Sequence, residues 1–228
     1  MTRPFGTHPP LPPSPPDPPF PRHTPWLPEP RPTAAGPVSA SAMVLGAPDW
    51  LGERLLEQRV VALAGELDDE TVSRTVAALA LLDADGDGPV QLRLSGVSAD
   101  LEGVLTLVDA LDLMGVPVHA TALGTLTGPA VALLAVADHR VVGPHAVLHL
   151  KEPRNGRALH GRDVEAWAAQ HARQLRRLQE RLAEATGRGV EQVAADMAAG
   201  LLLGAEEAKE YGLADAAEPS RRSAGPDR

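Results

Sequence analysis

The stretch DADGDG, residues 83–88, spaces three carboxylates at alternate positions ahead of a glycine, the first half of a calcium-binding loop. In such a loop the twelfth position supplies a bidentate Glu. Here that position is Leu94, and a strand-like run begins inside the loop, so a solvated helix-to-strand turn is expected. His119, His139, His145 and His160 show no metal-ligand spacing among themselves and are expected at surface or hydrogen-bonded positions. With no cysteine, the chain has no disulfide, thiolate metal site or cysteine nucleophile. No cofactor or metal is expected. The formal charge of −9 argues against an extended nucleic-acid surface. What remains is GTLTGPA, residues 124–130, where hydroxyls stand among glycines and a proline between the strand-like VPVHATAL and the helix-like VALLAVA.

The elements that must position this junction follow from periodicity. Residues 1–42 hold fifteen of the 23 prolines and bury too little apolar surface to offset the cost of ordering. They are expected to form a disordered, partly polyproline tail, either a linker or a ligand for a proline-binding module. The globular domain is set at 43–217, and EPSRRSAGPDR, 218–228, is expected to be a second disordered tail. Within the domain, DWLGERLLEQ reads as a short amphipathic helix and RVVALAG as a buried strand. DDETVSRTVAALALLD is a helix with an Asp cap and a Val72, Val76, Leu79 stripe. VQLRLS is the next strand, DLEGVLTLVDALDLMG the next helix. This alternation predicts an α/β fold with mostly parallel pairing. From residue 161 to 186, Val164, Trp167, His171, Leu175, Leu178 and Leu182 recur at spacings of three and four. Such a long helix with one apolar face is expected to meet another subunit along part of its length. No run approaches eighteen apolar residues and no basic-then-apolar leader is present, so a soluble cytoplasmic protein without membrane contact is expected.

Residues 140–215 resemble the proteolytic subunit of the ATP-dependent Clp protease, a serine peptidase family. The matching pieces are PHAVLHLKEP, the glycine hairpin RNGRALHGRDVE, the helix ending in ATGRGVEQV, and AADMAAGLLLGAEEAKEYGLAD. Upstream, ERLLEQRVVALAGELDDE and GVLTLVDALDLMGVPVHATALG extend the likeness to about residues 50–216. The resemblance implies a crotonase-like fold of repeated ββα units with a protruding handle helix, and subunits assembled into stacked rings. It also implies a hexameric ATPase unfoldase as a docking partner. The chain is poor in the aromatic residues that would line its docking clefts: Tyr211 is the only tyrosine, and Phe5 and Phe20 lie in the tail. ADHRVV is also similar to the enoyl-CoA hydratase and isomerase branch of the fold, whose enzymes likewise need two oxyanion N–H groups.

The family cleaves peptides with a serine, a histidine that takes its proton, an aspartate that orients the imidazole, and two backbone N–H groups for the oxyanion. The resemblance places the nucleophile at Gly128, which has no side chain, and the base at Lys151. The aspartate falls on Asp196, which matches. One oxyanion donor falls on Pro129, which has no N–H. The other comes from a glycine pair replaced by Ser98 and Ala99. His149 reaches the base position only in a slipped strand. Thr127, one residue from the missing serine, is expected to cap a helix start rather than to attack. Lys151 and Asp196 are expected to form an ion pair in place of the histidine–aspartate contact. The implied function is a pseudopeptidase subunit that co-assembles with an active paralogue. An active peptidase with a rearranged site and a free-standing scaffold using the proline tail stay open as alternatives.

Overall fold

The computed structural model describes residues 50–153 and 163–217. The two expected tails, the glycine hairpin, His160 and the start of the domain at 43 lie outside the described residues. Trp50–Glu57 forms helix α1, followed by strand β1 (Val60–Leu67), helix α2 (Asp69–Ala84), β2 (Val90–Ala99) and α3 (Leu101–Asp112). Then come β3 (Val118–Leu123), β4 (Thr125–Thr127), a 3-10 turn (Gly128–Ala130), α4 (Val131–Ala135), β5 (His139–Val142) and β6 (Val147–His149). The long helix α5 (Asp163–Thr186), α6 (Val190–Ala199), β7 (Leu202–Leu203), α7 (Ala205–Tyr211) and β8 (Ala216–Ala217) complete the chain. The mixed α/β class read from the sequence is the one observed.

Helix starts are set locally. Asp68 accepts from the Thr71 N–H at 2.8 Å and from its hydroxyl at 2.6 Å, and these two bonds, the hydroxyl first, hold its carboxyl below the usual carboxylate range. Asp100 opens α3 the same way, accepting from the Gly103 N–H at 2.7 Å. At residues 83–88 the chain turns from helix to strand, and Asp83 accepts from Gly115 N–H at 2.8 Å and Val116 N–H at 3.2 Å. The carboxylate expected to face solvent thus ties the α3–β3 connection to α2.

All ladders among the described strands are parallel except β6 with β7. The sheet changes partners at one level. Val90–Ser95 of β2 pairs with β3, whereas Ser98 pairs with Thr127 of β4. Gly65, Gly96 and Gly124 stand at this level with φ of 74°, 61° and 66°, a region closed to most side chains. A Cβ on Gly124 would lie 3.4 Å from the Gly96 nitrogen. The β1–β2 register shifts between Ala64 and Gly65, and beyond it the two strands continue paired within the same sheet, through Leu67 and Ala99.

The core lies between this sheet and its helices. Every residue of α4, VALLA, is buried, as expected of a helix apolar on all sides. Leu126, Leu148, Leu178 and Leu182 are each at most 1% exposed and pack into the same cluster. Helix α5 is two-part. From Leu178 onward its inward side is buried, while Val164 at the other end is 44% exposed. Of the expected stripe, Leu178 and Leu182 belong to the core of this chain, and only the earlier portion is free for other contacts.

Candidate active-site cleft

Strand β4 delivers the junction GTLTGPA to the mouth of a cleft of about 1000 Å³. Leu126 points into the core and Thr127 into the cleft, by the alternation of a strand. The chain then bends at Gly128, φ 63°, into a turn that leads directly into buried α4. A Cβ at 128 would stand 3.4 Å from the Lys151 carbonyl oxygen, an ordinary contact, so the elbow has room for a side chain that glycine does not supply. Pro129 fills the first turn without an N–H.

Beyond β6, Lys151 lines the same cleft, half-buried. The main chain there is fixed by Leu150 N–H to Leu201 oxygen at 2.9 Å and Glu152 N–H to Met197 oxygen at 3.2 Å. The expected Lys151–Asp196 ion pair is not formed. Asp196 instead accepts from the Tyr211 hydroxyl at 2.7 Å. Tyr211 is 5% exposed, and a buried hydroxyl needs an acceptor. Burial, and then the bond to the Asp196 carboxylate, push this phenol well above its ordinary range. Arg188 closes the arrangement, its guanidinium 3.9 Å from the Tyr211 ring centre and its Nε donating to the Tyr211 main-chain carbonyl oxygen at 2.9 Å. Asp196 therefore joins α6 to α7.

Thr127 departs from expectation as well. It occupies the cap position of the 3-10 turn, yet its hydroxyl makes no capping hydrogen bond. The turn is too short, and Pro129 removes an N–H that a cap would satisfy. Thr127 is paired in register with Ser98 on one side and with His149 on the other. No strand slip is needed to bring His149 into the cleft. Its Nε2 is 3.5 Å from where a Cβ on Gly200 would stand, at the left-handed end of α6.

Three cleft residues escaped the sequence reading. Glu66 pairs in register with Ser98 and lines the cleft from the face of β1 opposite Leu63 and Leu67; the extra residue at the register shift is Gly96 of β2, where the buried positions move from Leu92 and Leu94 to Val97. Trp167 and His171 stack at 4.9 Å between ring centres, 17° apart in plane, and form a wall of the cleft from α5. Their four-residue spacing was visible as part of the helix stripe, but nothing in it pointed to a cleft.

A mostly parallel sheet that changes partners at a glycine level, with a strand-to-helix elbow beside a cleft, defines a mixed α/β scaffold whose elbow carries no side chain. The chain belongs to the Clp protease family, whose model matches residues 49–219. It is 32% identical over 179 residues to an ATP-dependent Clp protease proteolytic subunit-like protein of Streptomyces coelicolor, covering 75% of this chain and 83% of that one. It is 28% identical over 165 residues to ATP-dependent Clp protease proteolytic subunit 1 of Salinibacter ruber, covering 71% of each.

Proposed function

We propose that this chain is a Clp-type proteolytic-subunit homologue without serine-peptidase chemistry, which acts by assembling with a serine-bearing paralogue in an ATP-dependent complex. The observation that carries this reading is the elbow itself. Gly128 offers no hydroxyl and Pro129 no oxyanion N–H, although the backbone bend and the room for a side chain are present. Losing a nucleophile from such a triad costs roughly a millionfold in turnover, and losing an oxyanion donor a further factor of about 100 to 1000. The carboxylate at the family's aspartate position serves the fold, bonded to Tyr211.

Assembly accounts for apolar groups left on the surface, among them Val164 at 44% and Leu202 at 58% exposure. Ring contacts with Clp-type subunits, docking of a hexameric unfoldase and a cytoplasmic setting belong to this reading. No helix among the described residues is long and apolar enough to cross a membrane. The test is expression alone and together with a serine-bearing Clp subunit, with sedimentation and a fluorogenic-peptide assay on each product. Co-elution, and peptide turnover only when the paralogue is present, are expected. Turnover by the pure chain, or separate elution of the two, overturns the proposal.

A further inference from the structure

Glu66, Ser98, Thr127 and His149 form one row across four adjacent strands, paired in register from β1 through β2 and β4 to β6. All four line the cleft. Among the described residues, none of these four side chains has a hydrogen bond or ion pair within the chain. Unbonded hydroxyls beside an unbonded imidazole at the floor of a cleft do nothing for the fold. Strands that are neighbours in a sheet lie about 4.8 Å apart, and side chains in register stand on the same face. The Thr127 hydroxyl is therefore one side-chain rotation from the His149 ring, and such contacts commonly tighten only when a ligand is bound.

We propose that Thr127 is an acyl acceptor served by His149, and that its substrates are activated esters or thioesters rather than peptide amides. The Thr127 oxygen attacks the carbonyl carbon and its proton passes to His149. The bond to the leaving group breaks with its electron pair, and a threonyl ester remains. Pro129 withholds an N–H from the tetrahedral intermediate, so the leaving group must supply the drive that the site lacks. A peptide amine is too poor a leaving group for this, whereas an aryl oxide or thiolate suffices. Water meets the same missing donor when it attacks the threonyl ester, so the product persists. This activity goes beyond the assembly role and does not depend on it.

The test uses the full chain and p-nitrophenyl acetate, following release of p-nitrophenolate and mapping the acetylated peptide by mass spectrometry. A burst of about one equivalent per chain is expected, with the acetyl group on Thr127. Thr127→Val should abolish the burst. Thr127→Ser, which keeps a hydroxyl, should retain it, and circular dichroism confirms that each variant is folded. His149→Gln should slow the burst at least about 100-fold, the usual loss when a general base is removed. Acetyl on Ser98 or Lys151 alone, no burst from the folded chain, or a burst that His149→Gln leaves unchanged overturns the proposal.

Discussion

The Tyr211–Asp196 contact makes a prediction that a single spectroscopic band can read. Tyr211 is the only tyrosine, so tyrosinate absorbance reports on one hydroxyl. Its ordinary ionisation lies at 10.0, and burial together with the Asp196 carboxylate raises it. Above that value the unfolded chain has released the proton and the folded chain still holds it. The unfolded state then binds fewer protons, so stability falls as pH rises, by about 1.4 kcal/mol per unit, until the raised folded-state value is reached. At neutral pH the hydrogen bond to a charged acceptor contributes about 2 kcal/mol, and Tyr211→Phe should remove it. The variant has no phenol to titrate, so its alkaline limb is flatter. A deficit of about 2 kcal/mol closing at about 1.4 per unit brings the two curves together roughly one and a half units above the ordinary phenol value. Urea unfolding at a series of pH values supplies the curves, and absorbance supplies the ionisation. Tyrosinate with a midpoint at the ordinary value while circular dichroism is unchanged would refute the buried pair. Parallel stability curves for the two proteins would do the same.

Gly128→Ser with Lys151→His should give little peptidase activity, and Pro129→Met should be required before a fluorogenic peptide turns over appreciably; strong activity from the first two alone contradicts the assignment of the missing oxyanion donor. Lys151→Met and Asp196→Asn should affect thermal stability additively, because Asp196 bonds Tyr211 rather than Lys151. A coupling above about 0.5 kcal/mol in the double-mutant cycle would show that they meet. Val164→Glu should weaken oligomers in sedimentation without lowering the melting temperature of the subunit, since Val164 is exposed, whereas Leu175 packs partly against the core. Gly212→Ala should destabilise the chain by about 3 kcal/mol or more in denaturant unfolding. Residue 212 stands at φ 94°, and a Cβ would come within 2.7 Å of the Thr186 oxygen.

Much of the fold was legible because it rests on local signals. Apolar runs located β1, β2 and β3, Asp68 announced α2, and the all-apolar run after residue 130 announced the buried α4. Elements held by pairing rather than propensity were not legible. Strand β4 has three residues, β7 and β8 two each, and nothing in TLT, LL or AA distinguishes a strand from a loop. The site divided the same way. The absence of a hydroxyl at 128 and of an N–H at 129 is a property of residue types and needed no coordinates. Partner choice depends on long-range geometry. A carboxylate at 196 was expected to meet Lys151, but Tyr211, buried and fifteen positions further on, reaches it first. Glu66 sits on the face of β1 opposite Leu63 and Leu67, but that this face lines a cleft depends on its pairing with Ser98, which no local signal shows.

The left-handed elbow makes loss and recovery of chemistry unequal. At φ 63° glycine is relaxed, whereas an L-residue there carries a strain of about 1 kcal/mol. Proline at 129 further restricts the unfolded chain and stabilises the junction by about 0.4–1 kcal/mol. Replacing the glycine by serine or the proline by another residue therefore lowers stability at once. Activity returns only after a hydroxyl, an imidazole and an N–H are all in place. The junction thus behaves as a ratchet. On the assembly reading proposed above, a change at 128 or 129 alone is downhill in stability and gains no turnover, so selection acting on the fold alone keeps the glycine and the proline in place.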